Sequence, residues 1–170
     1  MSAFTYLDAL IVILAIGAVS WLVSMVRKDV SLVDSLWSLF FLVAAVVFAT
    51  DVQPLSPRAW LVLALVAIWA IRLSAYITVR NWGQPEDYRY QKIRENNEPG
   101  FALKSLYIVF GLQGVLAWLV ALPLLPAISS DAGLNWLDLL AGIVWLVGFV
   151  FEAGGRSEEH TSELQSQFRI

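Results

Sequence analysis

The chain has 170 residues, of which 59% are hydrophobic and only 15% are charged, and its formal net charge is −3. A soluble domain of this length has too little interior for so many apolar side chains, so the composition predicts a membrane protein. The small negative charge does not indicate a nucleic-acid partner. The lack of cysteine excludes disulfides and thiolate chemistry.

Five apolar runs follow one another along the chain, and each predicts a membrane-spanning helix. Most reach the roughly 20 residues that cross about 30 Å of hydrocarbon, and a helix satisfies its own backbone in lipid. Pro123 and Pro126 are expected to close or kink the fourth run. The prediction is an all-α integral membrane protein with five transmembrane helices, at residues 4–26, 31–50, 59–79, 103–128 and 136–151.

Basic residues favour one side of the predicted membrane. Only Arg58 lies on the other side. Because short cytoplasmic loops are enriched in Lys and Arg, we expect the N-terminus outside and the connection 80–100 in the cytoplasm of a bacterial inner membrane. The residues on the basic side are Arg27, Lys28, Arg80, Arg89, Lys92, Arg94 and Lys104.

The last fifteen residues, RSEEHTSELQSQFRI, are abruptly polar. Residues 156–166 resemble one reading frame of a widely used sequencing adapter. We therefore expect a native helical domain at residues 1–155 and a non-native tail at residues 156–170. The single histidine, His160, lies in this tail, so residues 1–155 predict neither a metal site nor a Ser-His-Asp triad.

A polar segment, RNWGQPEDYRY at residues 80–90, separates the third and fourth runs. Arg80 and Arg89 are suited to binding phosphate through the planar guanidinium group. Glu86 and Asp87 are suited either to accepting hydrogen bonds from a ligand or to tethering the arginines, and the tyrosines offer faces for a ring. The alternative is an ordinary basic interfacial loop that leads into an amphipathic segment.

Two ionisable residues lie inside the predicted spans. Asp34 is about one turn inside the second span, where a carboxylate costs a few kcal/mol unless it is paired or faces water. Arg72 is about two turns inside the third span and forms a stripe with Tyr76 and Arg80 at i, i+4 and i+8. We expect Arg72 to meet Asp34, either as a structural ion pair or as part of a ligand pocket.

Two further polar residues lie in the fourth and fifth spans. Gln113 lies mid-membrane beside Gly111 and Gly114, a pattern that favours close helix packing. Glu152 lies at the basic end of the fifth span and is a weak signal on its own.

Together these elements resemble bacterial relatives of the steroid 5-alpha-reductases, over nearly all of residues 1–155. The matching elements are SLVDSLWS at 31–38, WAIRL at 69–73, RNWG at 80–83, EDYRY at 86–90, Gln113, and Phe151 with Glu152.

The resemblance implies about seven spans in the intact protein and NADPH-dependent reduction of a carbon–carbon double bond conjugated to a carbonyl. The substrate is lipophilic, of a steroid, isoprenoid or lipid kind, and it comes from the bilayer. The resemblance implies a cofactor mouth of Arg80, Asn81, Glu86, Asp87, Arg89, Tyr90 and Glu152. It implies a substrate cavity of Asp34, Trp37, Tyr76 and Gln113. The catalytic candidates are Asp34, Arg72 and Gln113.

The family pattern continues beyond Glu152 with two more spans and a C-terminal signature that carries much of the cofactor contact. We therefore expect the 170-residue chain to be an inactive fragment of a reductase, an expectation that micromolar NADPH binding would overturn. One alternative is a membrane methyltransferase that uses S-adenosylmethionine. The other is a non-enzymatic helical membrane protein, which would tolerate charge removal at Glu86, Asp87 and Arg89.

Overall fold

In the computed structural model the chain is 81% helical. The structure describes the backbone of residues 3–167 and the side chains of residues 5–155, and these residues contain no strand. The helices are α1 (Ala3–Arg27), α2 (Leu32–Thr50), α3 (Pro57–Arg80), α4 (Tyr88–Asn97), α5 (Phe101–Ser105), a π-helical segment (Leu106–Gly111), α6 (Leu112–Val120), α7 (Leu124–Ser129) and α8 (Trp136–Gln167).

Five helical segments within the described residues are long and apolar enough to cross a membrane, which confirms the all-α integral membrane fold. The first three have bounds within about two residues of the predicted runs, and the fifth begins at the predicted residue but ends at Gly155, four residues later than predicted. The fourth is shorter than expected, because the helix stops at Val120 and a turn containing Pro123 separates it from α7. The spans are Thr5–Arg27, Leu32–Thr50, Pro57–Arg80, Phe101–Val120 and Trp136–Gly155.

The chain forms two compact units, Met1–Ala132 and Gly133–Ile170. In the first unit α2 is the central helix, and it packs against α1, α3, α6 and α7. Its inward face alternates bulky and small side chains, so that Phe40 and Phe48 are almost fully buried beside Ala44 and Ala45. These side chains form the core that holds the spans together.

The fourth span carries the irregular part of this packing. A π-helical segment follows α5 and contacts α1. In α6, a Cβ atom on Gly114 would lie 3.3 Å from side-chain atoms of both Ile13 and Leu14. The small residue therefore permits α1 and α6 to approach closely, as the Gly-flanked Gln113 predicted.

Polar contacts close the end of the first unit that lies away from the basic connections. Thr5 donates to the carboxylate of Asp51, and Ser56 donates 2.8 Å to the backbone carbonyl of Ser130. Ser56 also caps α3 by accepting from the backbone N–H of Ala59. We call this the capped end, and the opposite end, with the connections 28–31 and 81–100, the basic end.

The second unit contains α8, which begins at Trp136. Asn135, the residue before the helix, caps its start by accepting from the backbone N–H of Leu137 at 2.8 Å. The helix continues to Gln167, beyond the predicted apolar run that ends at residue 151. The origin of residues 156–170 remains a prediction, and their side chains lie outside the described residues.

Candidate functional site

A short amphipathic helix, α4, lies across the basic end of the first unit. Asp87 caps it by accepting from the backbone N–H of Arg89 at 2.9 Å. The backbone N–H of Asp87 in turn donates 2.8 Å to the hydroxyl of Ser31, the residue before α2. The start of α4 is thereby fixed to the start of α2, and this attachment positions every side chain of the site.

Asp34, in the first turn of α2, receives two donors from α4. The Arg89 guanidinium donates Nη2 to Oδ2 of Asp34 at 2.8 Å, and the Tyr90 hydroxyl donates to Oδ1. Arg89 also donates Nε and Nη2 to the two carboxylate oxygens of Asp87, both at 3.0 Å. One guanidinium group therefore bridges two carboxylates.

The hydrogen-bond chain continues from Tyr90 into the fourth span. Gln113 Nε2 donates to the Tyr90 hydroxyl oxygen at 3.1 Å. Tyr90 is 6% exposed, whereas the Arg89 side chain is 54% exposed. The series of hydrogen bonds from Gln113 through Tyr90 and Asp34 to Arg89 thus leads from the fourth span past the buried Tyr90 to the half-exposed Arg89, and we call these four residues the polar chain.

A second pair holds the other edge of α4. Glu86 accepts from both Nε and Nη2 of Arg94 and, at 3.0 Å, from the backbone N–H of Val30. The Arg94 guanidinium lies 4.5 Å from the centroid of the buried Phe101 ring. Glu86 therefore ties α4 to the connection between α1 and α2.

These contacts shift the ionisation of the groups involved. The hydrogen bond from Arg89 lowers the pKa of Asp87, and the same bond raises the pKa of Arg89. The hydrogen bond to Glu86 raises the pKa of Arg94. Burial, followed by the bond to Asp34, raises the pKa of Tyr90 well above its usual value. At neutral pH the site therefore holds ionised pairs around a neutral phenol.

The expected pairing of Asp34 with Arg72 is wrong, because the carboxylate of Asp34 binds Arg89 and Tyr90 instead. Asp34 lies in the first turn of α2, and this is the turn that the Arg89 and Tyr90 side chains of α4 reach. Arg72 lies with its guanidinium carbon 5.9 Å from the centroid of the Tyr76 ring. This contact confirms the i, i+4 stripe on α3.

The other predicted residues have varied surroundings. Arg80 donates to the side-chain oxygen of Asn81 at 3.3 Å, and its charge contributes to lowering the pKa of Asp87. Trp37 packs edge-to-face on Phe41, with ring centroids 5.5 Å apart, and its place in a substrate cavity stays a prediction. Glu152 lies on α8 in the second unit.

The sequence reasoning missed two contributors, Ser31 and Arg94. Ser31 lies just before a helix, a position where a hydroxyl often binds a backbone N–H, but its partner proved to be the distant Asp87. Arg94 was counted only as one of the basic residues. Its Nη2 lies 2.8 Å from Oε1 of Glu86, although Glu86 is eight residues earlier in the chain and precedes α4. Among the described residues no group of His, Cys, Asp and Glu could hold a metal ion.

The fold and the site define a multi-pass helical membrane protein with a charged hydrogen-bond network at one end of its spans. The chain belongs to the family described as Protein of unknown function (DUF1295), whose model matches residues 20–167. That family is linked to steroid 5-alpha-reductase-like proteins. Comparison with the curated proteins and with the solved structures gives no match to this chain.

The buried phenol of Tyr90 gives a prediction for alkaline titration. Because folding raises its pKa, the contribution of neutral Tyr90 to stability is complete below the unfolded pKa of about 10 and is lost only as the pH rises through the higher folded value. The phenolate absorbance of the wild type minus that of Tyr90→Phe should therefore show no step near pH 10. Asp34→Asn removes one cause of the raised pKa, so in this variant the Tyr90 titration should move part of the way back towards pH 10. A wild-type titration step centred near pH 10 would contradict the raised pKa of Tyr90.

The attachment of α4 gives a prediction for proteolysis. Glu86→Ala leaves the backbone N–H of Val30 and the guanidinium of Arg94 without their acceptor, at a cost of about 1–3 kcal/mol. Trypsin cleavage of the connection 81–100 should become at least about fivefold faster. Glu95→Ala is the control, since Glu95 is exposed and makes no hydrogen bond or ion pair within residues 5–155. Equal cleavage rates for both variants would show that Glu86 does not hold α4.

Proposed function

We propose that this protein is a membrane reductase that uses NADPH to saturate a carbon–carbon double bond conjugated to a carbonyl in a lipophilic substrate. The membership in a family linked to steroid 5-alpha-reductase-like proteins supports this class. The observation that carries the proposal is the polar chain, because it joins a buried neutral phenol to an amide donor and a carboxylate.

This reduction requires a hydrogen-bond donor at the carbonyl oxygen, where negative charge develops as the double bond accepts a hydride. NADPH supplies that hydride when it is bound. Tyr90 is protonated at neutral pH, and its raised pKa keeps the phenol neutral further into the alkaline range than an ordinary tyrosine. The substrate carbonyl replaces Asp34 as acceptor of the phenol hydrogen bond, and Gln113 stabilises the phenol oxygen as the proton passes to the developing enolate oxygen. The enol then takes up a proton from water at its α-carbon and returns its hydroxyl proton to Tyr90, which completes the saturation.

The basic end fits the phosphates of a dinucleotide in part. Arg89 is half exposed, and its Nη1 makes no hydrogen bond within residues 5–155, so its two donors on that nitrogen are available for a phosphate oxygen. Arg80 donates to Asn81, and its charge acts on Asp87, the partner of Arg89. Glu86 and Asp87 are engaged by Arg94 and Arg89, so they act as tethers for the arginines rather than as acceptors for ribose hydroxyls.

We propose that the basic end faces the cytoplasm of a bacterial inner membrane. The two basic connections bond each other, through Glu86 to Val30 and Asp87 to Ser31, so their Lys and Arg residues lie at one end. The chain has no cysteine, so single cysteines at Lys92 and Asp131 report the two ends separately. An impermeant maleimide added to spheroplasts should label residue 131 and reach residue 92 only after permeabilisation. The reverse pattern contradicts this orientation.

The reductase proposal predicts that Tyr90→Phe lowers kcat by about 100-fold or more with little change in KM, since removing a general acid typically costs 10²–10⁴-fold. Tyr88→Phe is the matched control, because Tyr88 is 75% exposed on the same helix. The measurement is NADPH oxidation coupled to loss of the conjugated absorbance of a lipophilic enone.

The assay uses both the 170-residue chain and the protein encoded by the continuous genomic reading frame. Methyl transfer from labelled S-adenosylmethionine in the same membranes, with no NADPH oxidation, contradicts the proposal and establishes the methyltransferase alternative. Equal activities of the two tyrosine variants contradict the role of Tyr90 alone.

A further inference from the structure

A cavity of about 270 Å³ lies at the basic end, apart from the polar chain. It is lined by the end of α1, the connection after it, α4 and α5, and it is open to the surface on one side. Its charged lining residues are Lys28 and Arg94, and Met25, Val30 and Phe101 supply apolar walls. The volume falls just below the range of small-molecule sites and suits a headgroup rather than a dinucleotide.

Both cations retain donors that the protein does not use. Lys28 makes no hydrogen bond or ion pair within residues 5–155. Arg94 gives Nε and Nη2 to Glu86, which leaves Nη1 without a hydrogen bond in the same residues. Two cationic groups with unused N–H donors on one cavity are suited to the oxygens of a phosphate.

The neighbouring carboxylates do not line the cavity. Glu86 accepts from Val30 N and from Arg94, Asp29 accepts from Ser31 N at 2.8 Å, and Glu98 accepts from Gly100 N at 3.0 Å. Glu86 pairs directly with Arg94, and Asp29 and Glu98 act on the Arg94 guanidinium through their charges, but none of the three occupies Nη1 of Arg94 or the ammonium of Lys28. The unused donors of Lys28 and Arg94 therefore remain available to an anion.

The backbone at Lys28 is a second, independent observation. Lys28 adopts φ 55°, in the left-handed region, and the N–H of Asp29 donates to the carbonyl of Ser24. This is the helix ending in which glycine usually occupies the left-handed position. Lysine is less favourable than glycine in this backbone conformation, which indicates that the Lys28 side chain has a role that glycine could not fill.

We propose that this cavity binds the phosphate headgroup of an anionic phospholipid from the leaflet at the basic end. Met25 is 39% exposed, and Leu22 and Val26 lie on the adjoining turn of a membrane span with their side chains exposed, so an acyl chain can continue along α1. The bound lipid joins α1 to the base of α4 through Lys28 and Arg94. The proposal does not depend on the reductase assignment.

The test titrates phosphatidylglycerol and phosphatidylcholine onto the detergent-purified chain and counts bound lipids by native mass spectrometry. Phosphatidylglycerol should bind more tightly, and Lys28→Gly should weaken it about fivefold, the effect of one basic residue at an anionic surface. Lys28→Arg should keep the affinity. Lys92→Gln removes an equal charge from exposed α4 and should also keep it.

Stability separates a binding role from a structural one. Because glycine relieves the left-handed strain, Lys28→Gly should unfold at the same or a higher temperature than the wild type in lipid-free detergent. A lower unfolding temperature would assign Lys28 to the fold and overturn the proposal. Equal weakening by Lys28→Gly and Lys92→Gln, equal binding of both lipids, or complete displacement of phosphatidylglycerol by millimolar inorganic phosphate would also overturn it.

Discussion

The carboxylate of Asp34 determines how the basic end is built. An acidic group in the first turn of a membrane span is costly unless donors reach it, and here the donors come from a segment more than fifty residues later in the chain. Arg89 and Tyr90 are adjacent on α4, so both reach Asp34 only if that helix lies across the end of the spans. The position of α4 therefore allows the Asp34 carboxylate, whose side chain is 20% exposed, to be paired within the protein.

A single ion pair at a surface contributes little, so the attachment of α4 depends on its surroundings. At the α1–α2 connection the Ser31 hydroxyl accepts from the backbone N–H of Asp87, and the backbone N–H of Val30 donates to Glu86. Arg94 lies over the buried Phe101 ring. Each bond satisfies a backbone N–H or a charged group that burial would otherwise leave without a partner. The connection between the third and fourth spans is consequently an ordered part of the unit, not a solvated loop.

The spans were predictable from sequence because a helix that crosses the hydrocarbon needs about 20 consecutive, mostly apolar residues. Such a run is visible directly in the hydropathy of the sequence. The partner of Asp34 was not predictable in the same way. The sequence showed that Asp34 needed a partner, and the neighbouring spans pointed to Arg72, but the actual partner, Arg89, depends on where α4 lies. That position is set by bonds from Ser31 and Val30, which no local pattern reveals. Likewise the π-helical segment before Gly111 follows from packing against α1 rather than from its composition.

The two ends of the first unit use polar groups differently, and this difference is the reason for proposing function at the basic end. At the capped end, Ser56 donates to the backbone carbonyl of Ser130 and caps α3 by accepting from the backbone N–H of Ala59, so its role in the fold is sufficient to explain it. At the basic end, Gln113 reaches from a membrane span to a phenol that is already bonded to a carboxylate. A buried polar network of this kind stabilises a fold less securely than apolar packing would. Its presence beside a half-exposed arginine is better explained by chemistry at this end than by stability alone.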